Sequence, residues 1–427
     1  MQSLNKITGA PVPSWPQGWA ELPKDVLHSI IPLLGSFLDL FAFDDTCKPW
    51  HAALASYPHK AKLCTLLPPL LVRPNAGVSA PGLPSSSDGH RLHTCQVIDP
   101  ANPEITTLRC QIPQITLEMT YFLSGNEENT CLLGFSYGQM ICGRSRDCLI
   151  IDVFTGARLS TPRLPFRKDI FYCGMLTAPL TSPNSHLLIS ISSKSNQYLL
   201  DWLVGSASWS KLRCDDARID QIVDFNGQFI AMDLTERLYR VSLAPNLGLQ
   251  EIATVWRNGF RLPDPWFGTA PGIRLPSPWL VVCGDMLLVV CFNNVLSRPP
   301  PVRHRAYRLN MLTNPANWVE VERIENYTIF VGPDDRSSSL SCTSPGQWGG
   351  RSNCMYFAFD IEPKSTHDIK RRFWSMHGLG NEANAAWVRT TDRPRVFKRS
   401  TYDQLQPFWV YPSMFYQRTT ETTSLEN

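Results

Sequence analysis

Side chains able to bind a metal or perform catalysis gather at few places in this chain. His90-Arg91-Leu92-His93-Thr94-Cys95 offers imidazole and thiol donors of the kind that hold zinc. It has no second ligand pair at a zinc-site spacing and follows a segment of linker composition, so a solvated loop is expected there. Arg298-Pro299-Pro300-Pro301-Val302-Arg303-His304-Arg305 combines a proline run with basic residues, the composition of a proline-helix ligand or a basic patch. It falls between strand-like runs, and an exposed loop is the expectation. Hydrolytic and phosphoryl-transfer chemistry would announce themselves by a G-x-S-x-G elbow, a Walker loop or H-E-x-x-H, and dinucleotide binding by G-x-G-x-x-G. Gly134-Phe135-Ser136-Tyr137-Gly138 matches the first of these in letters, but it stands among strand-like residues with no helical pattern after it, as an elbow requires; the other three motifs do not occur. No catalytic residue, cofactor or metal is therefore assigned.

The 13 cysteines run from Cys47 to Cys354 with no C-x-x-C pair. An odd number without that spacing points to buried reduced thiols, not to a disulfide framework or zinc ribbon. Asn326-Tyr327-Thr328 matches a glycosylation sequon, but the sequence shows no secretory signal and the match is read as accidental.

Two kinds of element must carry whatever the chain does. Over residues 22–55 apolar residues recur at helical spacing, which predicts three short helices. The first begins at Pro23 and aligns Val26, Leu27, Ile30, Ile31 and Leu34 until Pro32 and Gly35 stop it. Ser36 and Asp39 can cap a second with Phe37, Leu38 and Phe41, and Thr46 a third with Pro49 in its first turn and Cys47, Trp50 and Leu54 aligned.

Residues 74–91, PNAGVSAPGLPSSSDGHR, have few side chains able to bury surface and predict a linker. Beyond lie short β-type runs: Cys148 to Phe154, His186 to Ile191, Phe229 to Met232, Trp279 to Cys283, Met286 to Phe292, Tyr327 to Val331 and Met355 to Phe359. Trp209-Ser210-Lys211-Leu212 and Trp318-Val319-Glu320-Val321 occupy matching places in a loose repeat, and Asn226-Gly227 is a strong hairpin signal. Four-stranded units follow, and a mainly β chain is expected: helices, then a β-propeller of six or seven blades. The tryptophans are expected to pack blades rather than to form a ligand cage.

The chain has 427 residues, 43% hydrophobic and 18% charged, with a formal net charge of +3. That allows a core of domain size and gives no single-sign field of the sort nucleic-acid binders use. No apolar run reaches a bilayer span. The expectation is a soluble cytoplasmic and/or nuclear protein with no nucleic-acid or membrane partner.

Leu22-Pro23-Lys24-Asp25-Val26-Leu27 through Thr46-Cys47-Lys48-Pro49-Trp50 resembles the F-box. The β-rich part is similar to the plant F-box proteins with a C-terminal domain of unknown function 295, a kelch-like propeller module. That likeness rests on Val153 to Ala157 with Leu164-Pro165, Val223 to Asp233, Phe330 to Gly332 with Gly350 to Asp360, and Trp409 to Ser413. The resemblance implies an F-box module at 17–56, a connecting and linker segment at 57–91, a target-binding propeller at 92–415 and a polar tail at 416–427. It implies a non-enzymatic substrate-recognition subunit that docks a Skp-type adaptor, and through it a cullin, while the propeller captures an unidentified target. Leu22, Pro23, Leu27, Ile30, Cys47 and Trp50 match the positions that contact the adaptor or support that contact. The alternative is an F-box-derived binding or scaffold protein outside a ligase, suggested by the acidic Asp44-Asp45 pair. So small a helical unit cannot hide its own apolar faces and must bury them on a partner or on the following domain.

Overall fold

The computed structural model describes residues 18–74, 92–103, 109–113, 130–166, 170–193, 196–215, 217–256, 278–293, 303–332, 336–358, 374–379 and 405–416. Four short helices lead. Pro23 lies in extended backbone immediately before α1 (Lys24–Ile30), one position ahead of where the sequence placed it, and Pro32 sits in a single 3-10 turn that ends the helix. In α2 (Phe37–Asp44) the Ser36 hydroxyl accepts the Asp39 N–H at 3.0 Å, the expected cap. The residue before α3 (Lys48–Ala55) is Cys47 and not the expected Thr46, whose hydroxyl donates back to the Ala42 carbonyl at 2.8 Å. Thr46 is thus spent on closing α2. The fourth helix, α4 (Lys60–Leu66), occupies a stretch read as connector.

Among the described residues twenty-five strands build six sheets, one for each of six blades. The first blade contains β1 (Leu70–Pro74), β2 (Leu92–Ile98) and β3 (Arg109–Pro113). The second is β4 (Cys131–Ser136), β5 (Gln139–Gly143), β6 (Cys148–Asp152) and β7 (Arg158–Ser160). The third is β8 (Ile170–Leu176), β9 (His186–Ser193), β10 (Asn196–Leu203) and β11 (Ser210–Arg213). The fourth is β12 (Ile219–Phe225), β13 (Gln228–Asp233), β14 (Leu238–Ser242) and β15 (Gly248–Ile252). Then β16 (Thr254–Trp256) crosses over to pair in parallel with β20 (Ala316–Val321), at the edge of a fifth sheet otherwise formed by β17 (Trp279–Cys283), β18 (Met286–Asn293) and β19 (Arg303–Asn310). The sixth departs from the simple meander. Its β21 (Tyr327–Val331) lies between β22 (Leu340–Thr343) and β23 (Cys354–Ala358), parallel to the latter, with β24 (Trp374–Gly378) outermost.

The ring closes at the first blade, where β25 (Phe408–Val410) pairs antiparallel with β1, so both ends of the chain share one sheet. Since β1 belongs to this blade, the propeller begins ahead of residue 92, inside the segment expected to be only a connector. The remainder of that segment, 75–91, lies outside the described residues, as does the tail beyond Tyr416. Strands such as β4, β5 and β6 are buried on nearly every residue because each blade is covered on both faces by its neighbours. The repeat tryptophans mark the fourth strand of a blade: Trp318 in β20 is buried and stacks on Trp256 at 5.3 Å, while half-buried Trp209 precedes β11 and donates to the Pro162 carbonyl. Asn226-Gly227 turns β12 into β13 with φ of 52° and 74°, the conformation for which that dipeptide is selected. All 13 cysteines stand as thiols, twelve of them buried.

Candidate docking surface and propeller channel

The helical unit sorts the residues of its motif onto two sides. Leu27 is 1% exposed and joins Ile31, Phe37, Leu40 and Leu54 in the core. Leu22, Ile30 and Trp50 are half-buried against that core, Cys47 is half-buried, and Pro23 is exposed. Trp50 lies 4.5 Å from the Phe43 ring and donates from Nε1 to the Trp19 carbonyl at 2.9 Å, fixing the chain that leads into Leu22. Beside these residues Trp19, Val26 and Leu33 are 77%, 39% and 80% exposed. Pattern reading passed over Trp19 and Leu33, because each stands alone in a segment that starts or stops a helix and belongs to no periodic face. The Asp44 carboxylate meets His51 Nδ1 at 2.9 Å, so its charge is partnered within the chain.

The same unit is fastened to the propeller. Its buried residues form one core with Val72, Val97 and Ile112 of the first blade and Phe135, Met140 and Ile151 of the second. Phe37 meets Phe415 at 4.9 Å, Asn102 Nδ2 donates to the Ser36 hydroxyl at 3.2 Å, and Thr343 Oγ1 donates to the Thr65 carbonyl at 3.1 Å. One apolar side of the helices is thus buried on the following domain, while Trp19, Val26 and Leu33 stay exposed.

Down the axis runs a cavity of about 220 Å³ lined by inner strands β4, β8, β12, β17 and by β22 with the residues that lead into it. The segment Arg336–Ser341 ties blades together there. Arg336 donates to the Leu132 carbonyl and Ser338 to Phe135 of the second blade, while Ser339 and Ser341 donate to Leu280 and Val282 of the fifth. Two carboxylates line the cavity among the described residues, Asp220 and Asp224, both on β12. Four residues of strand separate them by roughly 13 Å. Asp220 pairs with Arg218, Asp224 accepts the Gly227 N–H at 2.9 Å, and no described histidine joins them. The lining offers a binding cleft, with no base placed beside a nucleophile.

The other sequence clusters are also placed. Within the proline-basic run, 298–302 lie outside the described residues, and Arg303 to Arg305 belong to β19 and not to an exposed loop. There His304 is buried against His377, ring centroids 4.5 Å apart, and burial pushes the His377 imidazole down to about 4. His90 and Arg91 lie outside the described residues, whereas Cys95 is buried opposite Cys110 on β2 and β3, not in a solvated loop. Among the described residues no group of three or more His, Cys, Asp or Glu is placed to hold a metal, and no helix is long and apolar enough to cross a membrane.

With this geometry, the family model described as the KIB1-4 beta-propeller matches residues 104–378. No curated protein matches the chain. Among solved structures the chain is similar to the N-terminal domain of Nup159 (11% identity, 62% of this chain and 64% of that one, TM-score 0.27). It is also similar to TolB from Acinetobacter baumannii (11%, 61% and 54%, 0.30) and to AztD from Citrobacter koseri (11%, 54% and 60%, 0.28). The chain covers less than two thirds of each of these three.

Proposed function

The chain belongs to the KIB1-4 β-propeller family, and on that premise we propose that it is a non-enzymatic substrate-recognition subunit of a Skp-cullin-F-box ubiquitin ligase. In this reading the helices dock a Skp-type adaptor and the propeller captures a target protein. Propellers of this family typically occur in F-box proteins. The observation that carries the reading is the exposed apolar set Trp19, Val26 and Leu33 beside Leu22 and Pro23, on a helical unit with one apolar side already buried on the propeller. Exposed apolar area of that kind marks a partner surface. A rigid joint between the two parts suits a receptor that must hold its target at a fixed position relative to the adaptor.

A second reading, an F-box-derived scaffold outside a ligase, draws on Asp44 and Asp45, an acidic pair unsuited to an acidic adaptor surface. Asp44 is drawn toward His51, which lessens that objection. Reconstitution separates the two. The full-length chain mixed with purified Skp-type adaptor and cullin should elute as one complex, and elution of the chain apart from both would overturn the ligase reading and leave the scaffold.

A further inference from the structure

We propose that one mouth of the propeller channel takes a lysine or arginine side chain of the captured protein, held between the Asp224 carboxylate and the rings of Tyr137 and Tyr416. The inference deepens the target-capture half of the proposed function and rests on it.

Two of the inner strands, β4 and β12, end in tight turns at this mouth. Tyr137-Gly138 closes β4 with φ of 52° and 77°, and Asn226-Gly227 closes β12. The Tyr137 hydroxyl donates to the Thr177 carbonyl at 3.3 Å, which lays its ring past the end of β8 toward the fourth blade. Tyr416 meets that ring edge to face, centroids 5.1 Å apart. Asp224 completes the mouth. Among the described residues its one hydrogen-bond partner is the Gly227 N–H, and that leaves carboxylate lone pairs facing the cavity.

The electrostatics are one-sided. Burial pushes the Asp224 carboxyl up from its ordinary range, and burial together with the Asp224 charge pushes the Tyr137 phenol up to about 12. Arg336 is the single cation among the described lining residues. It donates to the Leu132 carbonyl, five residues of β4 from Tyr137 and so roughly 16 Å away along the strand. A partly desolvated carboxylate beside the Tyr137 ring, with Tyr416 packed against that ring, is the arrangement that attracts an ammonium or guanidinium group. Met175 and Val223 give apolar wall for the methylene stem behind such a charge. An acidic side chain would meet repulsion, and a neutral one would leave Asp224 unmatched.

The test uses the full-length chain without adaptor and two acetylated probe peptides, Gly-Gly-Arg-Gly-Gly and its neutral counterpart with citrulline in place of arginine, titrated by calorimetry. The arginine peptide should bind at least tenfold more tightly than the citrulline peptide, and Asp224→Asn should lose that preference. Asp215→Asn, at an exposed carboxylate away from the cavity, should keep it. Equal binding of the two peptides, no binding of either, or an unchanged preference in the Asp224→Asn protein would each overturn the proposal. The peptide comparison on the wild type stands even if Asp224→Asn loosens the β12–β13 turn. Because no adaptor is present, failure here leaves the docking reading intact, and failure of ligase reconstitution leaves this cleft intact.

Discussion

The carboxylate of Asp99, carried by the first blade just beyond β2, accepts the backbone N–H of Leu38 in the first turn of α2 at 3.2 Å. The opening N–H groups of a helix have no partner within it. Here Ser36 takes one and a residue 61 positions along the chain takes another, with its second oxygen accepting the Ala101 N–H at 2.9 Å. The helices and the propeller are therefore capped into one another.

That link gives the fold a pH dependence. Burial, against the opposing pull of the Ala101 and Leu38 N–H groups, raises the Asp99 carboxyl to about 6. A carboxyl whose folded value lies above its unfolded one contributes stability below the unfolded value and loses it as pH rises to the folded one. The loss should run from about pH 4 to pH 6 with an amplitude on the order of 3 kcal/mol. Asp99→Asn cannot titrate, so urea midpoints of wild type and variant, compared at intervals from pH 4 to 7, should show the wild type losing ground across that window. Parallel pH profiles would refute the assignment.

On the docking surface, burying one leucine on a partner is worth about 1.5 to 3 kcal/mol, and each 1.4 kcal/mol is about tenfold in affinity. Trp19→Ala with Leu33→Ala should weaken adaptor capture by about tenfold or more while leaving the melting temperature in place. Leu22→Ala with Pro23→Ala should also weaken capture, at some cost in melting because Leu22 packs against the core. Leu27→Ala should instead destabilise by about 2 to 5 kcal/mol through a cavity. Adaptor pull-down beside thermal melting of the three proteins reads both effects, and full capture by the Trp19/Leu33 variant would remove those residues from the interface.

Ring closure hangs on a three-residue strand. Trp409 in β25 is fully buried, donates from Nε1 to the Val331 carbonyl of the sixth blade at 3.1 Å and meets Phe330 at 5.1 Å. Trp409→Ala should cost about 3 to 5 kcal/mol in a urea titration. Leu312→Ala, at a 96% exposed turn residue, should change the midpoint by less than about 0.5 kcal/mol. Similar values for the two would mean that β25 is dispensable.

Two glycines should separate conformational from steric demand. A Cβ on Gly227 would meet nothing within 4 Å, so Gly227→Ala carries only the left-handed backbone penalty, about 1 to 2 kcal/mol. A Cβ on Gly134 would lie 2.2 Å from the Gly174 carbonyl oxygen, where the second and third blades meet at the channel. Gly134→Ala should therefore cost clearly more, and the reverse order in thermal melts would contradict the packing.

What could be read from the sequence was what neighbours in the chain decide. Helical spacing put Leu27 and Ile31 on one apolar face and Leu54 on another, and these are buried although Val26 of the first face is exposed; the Ser36 cap is written three residues from the N–H it accepts, and Asn226-Gly227 dictates its own turn. Distant pairings were not legible: Thr254 opposite Ala316, β22 slipped inside β21, and Asp99 reaching back to α2. For the proposed docking surface, Leu22 and Pro23 enter through their motif alone, while the exposure of Trp19 and Leu33 became visible only in the folded helices. The cavity mouth brings together Tyr137, Asp224 and Tyr416 from three distant parts of the chain, which no local pattern could join.

The shared sheet at the two ends of the chain has a consequence for biosynthesis. Strand β1 leaves the ribosome roughly 330 residues before β25, the strand beside which it must lie. At about 10 residues per second, the helices and β1 wait on the order of half a minute for Phe408, Tyr411 and Phe415, which complete their core. During that interval Leu70, Val72 and Phe37 face solvent or a chaperone, and a nascent chain stalled before residue 405 is a species that a holdase should recognise and a finished one should not.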